Sequence, residues 1–238
     1  MKQVAAKPKK CAAYKEVVYT SAHWVSLEEF RERATWIMAA LESFCLRTIV
    51  HGSIARGDVS PNSDVDVFIA EPQSSFLVET ALERAGVPCN MRLLIQATPS
   101  YAMKAYIEVD TAVSVSFPLM YMRKVEREFY KFGGEINLNQ LNTGARVAGA
   151  DKRLMLIEPT AKGHVESSIV GREDDAAKCL GVSVETVLDR VHALLKRDAV
   201  GRTGVFIKRE VASDETFEQA LKKLADENPA VRRRMRRG

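Results

Sequence analysis

The chain has 238 residues, of which 46% are hydrophobic and 28% charged, and its formal net charge is +4. This length suits one large domain or two small ones, and the composition is typical of a soluble protein with a packed core. No run approaches the roughly 18 apolar residues of a membrane span, and the basic N-terminus lacks the apolar centre of a signal peptide, so we expect a cytoplasmic protein. The four cysteines form no C-x-x-C pair, which argues against a zinc site and a disulfide framework.

The first two thirds of the chain predict a small mixed sheet with helices on one face. Residues 1–25 are interpreted as a lead-in, and a capping box formed by Ser26 and Glu29 predicts the start of the first helix. The pattern then predicts strands at 46–50, 65–70, 90–96, 112–119 and 153–158 and helices at 76–85 and 100–109. Residues 120–150 contain several turn signals and are interpreted as connective.

Residues 51–69 are the most informative segment, with the pattern of a strand, a Gly-Ser turn, a short helix and a second strand. Asp64 and Asp66 stand at positions i and i+2 of this second strand, so their carboxylates face the same side. Two neighbouring negative charges in an apolar strand are costly without a cation between them. Mg²⁺ suits this place because it binds one or two carboxylates together with substrate phosphates. The segment therefore indicates nucleotidyl transfer.

The same segment carries a family resemblance. Gly52-Ser53, Arg56-Gly57 and Asp64-x-Asp66, at these spacings, resemble the motif of the polymerase-beta-like nucleotidyltransferase superfamily, including its minimal prokaryotic members. The resemblance covers residues 46–70 strongly and 27–120 loosely. It implies an α+β fold with a mixed sheet and flanking helices over residues 26–160. It also implies Mg²⁺-dependent transfer of a nucleoside monophosphate from an NTP, with ATP as the favoured triphosphate.

The resemblance assigns roles to single residues. Asp64 and Asp66 would act as catalytic residues that hold the metal. Gly52 and Ser53 would bind the terminal phosphates through backbone amides at a helix start. Arg56 would either contact a phosphate or fix the turn by pairing with a nearby aspartate, and the sequence leaves both alternatives open.

A third carboxylate is also part of the family pattern, and here the sequence departs from it. The strand predicted at 90–96 contains no acidic residue. Glu108 and Asp110 follow further along the chain. Asp110 is the better candidate for the third catalytic carboxylate because it directly precedes the predicted strand 112–119, although its position is also typical of a turn residue. This gap leaves a nucleotide-binding protein with weak or lost activity as an alternative.

The C-terminal third resembles a winged helix. Ala177 and Gly181 have the spacing of a helix-turn-helix, Ser183 would cap the second helix, and residues 201–207 would form the wing hairpin. We therefore interpret 171–212 as a winged-helix domain and 213–238 as a terminal helix with a basic tail. The tail contains five arginines, namely Arg232, Arg233, Arg234, Arg236 and Arg237, which would either bind phosphates or be solvated.

Three functions are compatible with this organisation. The favoured one is an enzyme whose winged helix selects a nucleic-acid or protein acceptor. The others are a DNA-binding regulator whose N-terminal domain senses nucleotide or serves as a scaffold, and an antitoxin-like partner that adenylylates or sequesters another protein. In both, the nucleotidyltransferase domain would bind nucleotide, with or without activity. Residues 171–211 contain eight basic and seven acidic residues, which gives little attraction for DNA phosphates. His164 and Glu166 could form a metal or acid–base pair, but a surface turn is the favoured interpretation there. The sequence does not indicate an oligomeric state.

Overall fold

The structure is a computed structural model that describes residues 14–201 and 204–236. Most of the predicted lead-in, part of the predicted wing and Arg237 lie outside the described residues. The strands are β1 (Lys15–Val18), β2 (Thr48–His51), β3 (Val65–Ile69), β4 (Met91–Gln96), β5 (Lys104–Glu108), β6 (Val113–Pro118), β7 (Glu135–Asn137), β8 (Gly149–Ala150), β9 (Met155–Thr160), β10 (Gly163–Ser168) and β11 (Ile207–Glu210). The helices are α1 (Ser21–Glu42), α2 (Ser53–Arg56), α3 (Ser75–Arg84), α4 (Lys124–Phe132), α5 (Leu138–Asn142), α6 (Glu173–Leu180), α7 (Val184–Val200), α8 (Phe217–Glu227) and α9 (Pro229–Met235).

A mixed sheet forms the centre of the molecule. Within the described residues it has seven strands in the order β11-β4-β5-β6-β3-β2-β7. β3 lies between β2, which is antiparallel to it, and β6, which is parallel. Val65, Val67 and Ile69 of β3 are buried in the same core as residues of α1, α3 and α8. Alternate residues of a strand face opposite sides. Asp66 and Phe68 therefore lie on the other face, which we call the polar face.

Helix α4 covers part of the polar face. The ring of its Tyr130 stacks on Phe68 with centroids 3.8 Å apart. The segment 120–150, which we interpreted as connective, thus contains two helices and two short strands, so that interpretation is wrong. The mixed sheet with flanking helices, in contrast, agrees with the predicted fold class. The expectation that the helices lie on one face of the sheet is wrong, because α4 packs on the face opposite to α1 and α3.

Two other sequence predictions are also wrong. The first helix begins at Ser21, because Thr20 rather than Ser26 accepts the hydrogen bond of its first turn, from the His23 amide. The predicted helix at 100–109 contains the strand β5 instead. Its buried residues alternate with partly exposed ones, and this period of two is the pattern of a strand.

A second, antiparallel sheet has the order β1-β10-β9-β8 within the described residues. The turn predicted around His164 and Glu166 is in fact β10. Both side chains are buried. His164 Nδ1 is hydrogen-bonded to the Tyr19 hydroxyl at 2.7 Å, and Glu166 forms an ion pair with Arg153 at 2.6 Å. Their role in the structure is to join the strands of this sheet to neighbouring segments.

The C-terminal third forms the predicted helix pair but not the predicted wing. Gly181 has a left-handed backbone (φ 61°) between α6 and α7, and Ser183 caps α7. However, β11 pairs with β4 and so extends the large sheet. Phe217 of α8 is fully buried in the core of that sheet. The winged-helix prediction is therefore not confirmed.

None of the helices in the described ranges, 14–201 and 204–236, combines the length and the apolarity needed to cross a membrane.

We predict that Phe217→Ala lowers the free energy of unfolding by about 3–5 kcal/mol, the usual cost of removing a buried phenylalanine ring. The ring packs edge-on against Phe117 at 5.8 Å and lies under the Arg92 guanidinium at 4.8 Å. The measurement is urea denaturation followed by circular dichroism. Phe76→Ala is the matched control, because the Phe76 side chain is 75% exposed. Equal stability of the two variants would contradict the placement of α8 in the core.

Candidate active site

The Gly-Ser turn joins β2 to the single-turn helix α2. Gly52 has φ 76° and ψ −141°, a backbone conformation that residues with a side chain rarely adopt. A Cβ atom added at Gly52 would meet no atom within 4 Å, so the space beside the turn is open. The turn can therefore be approached closely by a ligand, and Ser53 follows at the first position of α2.

The structure brings the two predicted metal ligands together beside this turn. Asp64 is exposed and directly precedes β3, and Asp66 is the second residue of that strand. The Ser53 hydroxyl donates a hydrogen bond to the hydroxyl of Ser63 at 3.2 Å, which joins the turn to the residue before Asp64. Partial burial and then the charge of Asp66 raise the pKa of Asp64. The two carboxylates are therefore close enough to repel each other.

The neighbouring strands determine where a third carboxylate can stand. Ser114 of β6 pairs with Asp66 and donates a hydrogen bond to its Oδ1 at 2.7 Å. Glu108 of β5 in turn pairs with Ser114. The three residues therefore form a row on the polar face, in which Glu108 is two strands, or about 10 Å, from Asp66. Among the described residues, no hydrogen bond or ion pair involves the Glu108 carboxylate. The strand predicted at 90–96 is β4, which lies three strands from β3. The lack of an acidic residue in β4 therefore does not indicate whether the site has a third carboxylate.

Asp110 lies in the turn between β5 and β6, which agrees with the interpretation of Asp110 as a turn residue. Its carboxylate accepts a hydrogen bond from the Ala112 amide at 2.8 Å and forms an ion pair with Arg33. The Ala112 hydrogen bond and the Arg33 guanidinium lower the pKa of Asp110 more than its partial burial raises it. Arg33 belongs to α1, which packs on the opposite, apolar face. No contact joins Asp110 to Asp64 or Asp66 within the described part of the chain.

The described residues contain no cluster of three or more His, Cys, Asp or Glu side chains that could hold a metal ion by themselves. A metal at the Asp64–Asp66 pair would therefore complete its coordination with substrate oxygens or with a side chain that moves toward it.

Arg56 supports the turn. Its guanidinium is buried and donates to both carboxylate oxygens of Asp58, at 2.9 and 3.0 Å. It also donates to the carbonyl of Gly133 at 2.6 Å, and the amide of Gly52 donates to the Gly134 carbonyl at 2.9 Å. Of the two roles left open by the sequence, the geometry gives Arg56 the fixing of the turn, with Asp58 as its partner. That Arg56 binds nucleotide stays a prediction, and in the structure each of its three nitrogens donates to a group of the protein.

Two residues near the pair were missed by sequence reasoning. The charge of Lys152, in the turn between β8 and β9, lowers the pKa of Asp64, so a cation lies near the carboxylates. His51, at the end of β2, contacts Tyr130 edge-on at 4.8 Å. Burial lowers the pKa of His51, although the charge of Asp66 opposes this shift. The position of His51 next to the Gly-Ser turn was a signal for it, whereas no local pattern pointed to Lys152.

One comparison with known proteins found a family. Residues 37–127 match the model of the nucleotidyltransferase domain family. The match includes the Gly-Ser turn, the Asp64–Asp66 pair and the row that leads to Glu108. No curated protein and no solved structure matches the chain.

We predict that Arg56→Gln lowers the free energy of unfolding by about 3–5 kcal/mol, because it leaves the mostly buried Asp58 carboxylate without its partner. Urea denaturation measures the effect, and Arg47→Gln, at an exposed arginine, is the control. A variant that keeps its stability but loses nucleotide affinity would instead make Arg56 a phosphate ligand.

Proposed function

We propose that this nucleotidyltransferase domain transfers a nucleoside monophosphate from an NTP, with ATP favoured, to an acceptor hydroxyl, using a divalent metal held by Asp64 and Asp66. The single observation that carries the proposal is the hydrogen bond between Ser53 and Ser63. This contact supports the proposal because it joins the Gly-Ser turn to the residue before Asp64, and the reaction needs a phosphate-binding turn beside the carboxylates.

The carboxylate pair fits Mg²⁺ chemically. Its donors are hard oxygen atoms, and Mg²⁺ binds through one or two carboxylates plus substrate phosphates. Burial and then the charge of Asp66 raise the pKa of Asp64, and a bound cation would relieve the repulsion between the two carboxylates. When bound, such a metal neutralises charge on the phosphates and lowers the barrier to attack by an oxygen nucleophile.

The residues of the chain orient the substrate. The open backbone at Gly52 and the Ser53 hydroxyl would bind the terminal phosphates, and Lys152 would add a positive charge beside them. Ser114 fixes the rotation of the Asp66 carboxylate by its hydrogen bond. In the reaction, the acceptor oxygen forms a bond to the α-phosphorus, the bond from that phosphorus to the bridging oxygen breaks, and pyrophosphate leaves.

Glu108 is our candidate for the third carboxylate, in place of Asp110. Glu108 pairs with Ser114, which pairs with Asp66, so Glu108 and Asp66 face the same side of the sheet. The residue between them, Ser114, has a small side chain. The free carboxylate of Glu108 would accept the proton of the acceptor hydroxyl or complete the metal site. Asp110, in contrast, would have to give up its pairing with Arg33.

The alternative of a DNA-binding regulator is not favoured. In a helix-turn-helix the first residues of the second helix contact the bases. Here Ser183 and Thr186, at the start of α7, donate hydrogen bonds to the Glu128 carboxylate of α4. Burial raises the pKa of Glu128, but these hydrogen bonds outweigh it and lower the pKa to about 2. The start of α7 is thus occupied by contacts within the protein. An antitoxin-like protein that only sequesters its partner would bind nucleotide without transferring it, and a transfer assay separates that case.

We predict that Asp64→Asn and Asp66→Asn each weaken the Mg²⁺-dependent binding of ATP by at least about tenfold, or ~1.4 kcal/mol. Isothermal titration with a non-hydrolysable ATP analogue, with Mg²⁺ and with EDTA, measures this. Thermal midpoints should not fall, because removing one charge relieves the repulsion within the pair. Asp214→Asn, at an exposed carboxylate in the loop before α8, is the control. Full metal-dependent binding in both site variants would refute the site.

We predict that Glu108→Gln abolishes transfer, whereas Asp110→Asn retains it and loses a little stability, since Arg33 loses its partner. The assay incubates each protein with α-³²P-labelled ATP and Mg²⁺ against total RNA, DNA and cell lysate, and follows label in the acceptor. Loss of transfer in Asp110→Asn alone would restore Asp110 as the third carboxylate. Absence of transfer by the unmodified protein with every acceptor would favour a nucleotide-binding role.

A further inference from the structure

The structure divides the C-terminal arginines into two kinds. Arg232 donates to the carbonyls of Ala225 and Asp226, at 2.9 and 2.8 Å, and so provides hydrogen bonds to carbonyl groups in the last turn of α8. Arg234 is buried and donates to the carbonyls of Ser100, at 3.1 Å, and Tyr121, so it ties α9 to two loops. Arg233 is exposed and has no ion pair among the described residues. Arg232 and Arg234 therefore stabilise the fold, whereas the Arg233 guanidinium is accessible to a ligand.

Arg233 lies at a groove of about 700 Å³ between α9, the loop that joins β4 to β5, and the segment after β6. The residues of its lining that matter here are Ser100, Tyr121, Arg123, Arg233 and Arg234.

The groove has an excess of positive charge. Of its three guanidinium groups, Arg123 and Arg234 share one buried carboxylate, Glu126, at 3.3 and 3.7 Å. The same carboxylate also accepts a hydrogen bond from the Ala102 amide at 2.6 Å. Three positive charges therefore face one negative charge that is buried behind them. Such a groove attracts a polyanion, and each phosphate bound there would release counterions.

Aromatic rings accompany the arginines. Tyr121 is 69% exposed at the edge of the groove, and the Arg123 guanidinium lies 4.8 Å above the ring of Tyr101. Exposed aromatic rings within a basic groove are the means by which proteins bind single-stranded nucleic acids, because bases stack on the rings while cations follow the backbone. An acidic peptide would use the arginines but would gain nothing from Tyr121.

We propose that this groove binds single-stranded nucleic acid, with phosphates at Arg123 and Arg233 and a base stacked on Tyr121. The groove adjoins the C-terminal end of β6, and the Asp64–Asp66 pair adjoins the N-terminal end of the parallel strand β3. The two sites lie at opposite ends of these strands. The proposal therefore does not require catalysis, and changes in the groove should leave nucleotide binding intact.

The test is fluorescence anisotropy of a labelled oligo(dU) or oligo(U) with the full chain, at about 50 and 200 mM salt. Arg233→Gln should weaken binding several-fold and reduce the slope of log K against log salt by about one. Tyr121→Ala should weaken it by about fivefold or more, the loss expected for one stacked base. Arg47→Gln and Phe76→Ala, an exposed arginine and an exposed aromatic elsewhere, should bind as the unmodified protein does.

Three results would overturn the proposal. These are the absence of oligonucleotide binding at the lower salt, unchanged affinity in both groove variants, and equal competition by polyglutamate with no effect of Tyr121→Ala. Binding of the ATP analogue with Mg²⁺ is measured on the same samples. Its retention in the groove variants shows that they are folded, and its failure in the unmodified protein would refute the nucleotidyltransferase site without affecting the groove.

Discussion

The buried guanidinium of Arg56 is the contact on which the candidate site depends. It joins α2 to Asp58 and to the Gly133 carbonyl at the end of α4, while the amide of Gly52 is held by the next carbonyl, that of Gly134. A short helix of four residues has little stability of its own. These contacts therefore fix the Gly-Ser turn in place, and they connect it to α4. The open backbone at Gly52 can then face a ligand without collapsing onto the neighbouring strand.

The sequence predicted the parts of the site that are local in the chain. The turn, the short helix and the two aspartates lie within fifteen residues. Strand alternation predicted that Asp64 and Asp66 face one side, and in the structure Asp64 directly precedes β3. The helix pair around Gly181 was predicted for the same reason, because a left-handed glycine between two apolar patterns is a local signal. The alternation of residue types in β5 was also visible in the sequence. The segment was interpreted as a helix because its period of two was mistaken for the period of a helix.

The parts that failed depend on pairing between distant segments. The row from Asp66 through Ser114 to Glu108 exists only because β6 inserts between β3 and β5. A one-dimensional pattern does not specify that order. In the same way, the predicted winged-helix domain extends to residue 212, and only the pairing of residues 207–210 with β4 assigns them to the large sheet. The partner of Arg56 at Gly133 is 77 residues away, and no spacing rule predicts such a contact.

Helix α4 connects the two sites. Arg123, at its N-cap, lines the basic groove, and Gly133, at its C-cap, holds the Gly-Ser turn through Arg56. Nine helical residues span about 14 Å. In between, Tyr130 rests on Phe68 of the polar face, two residues beyond Asp66, so α4 is fixed against the strand that carries the carboxylates. The basic groove and the Gly-Ser turn are therefore connected to the two ends of one helix that is fixed against the sheet.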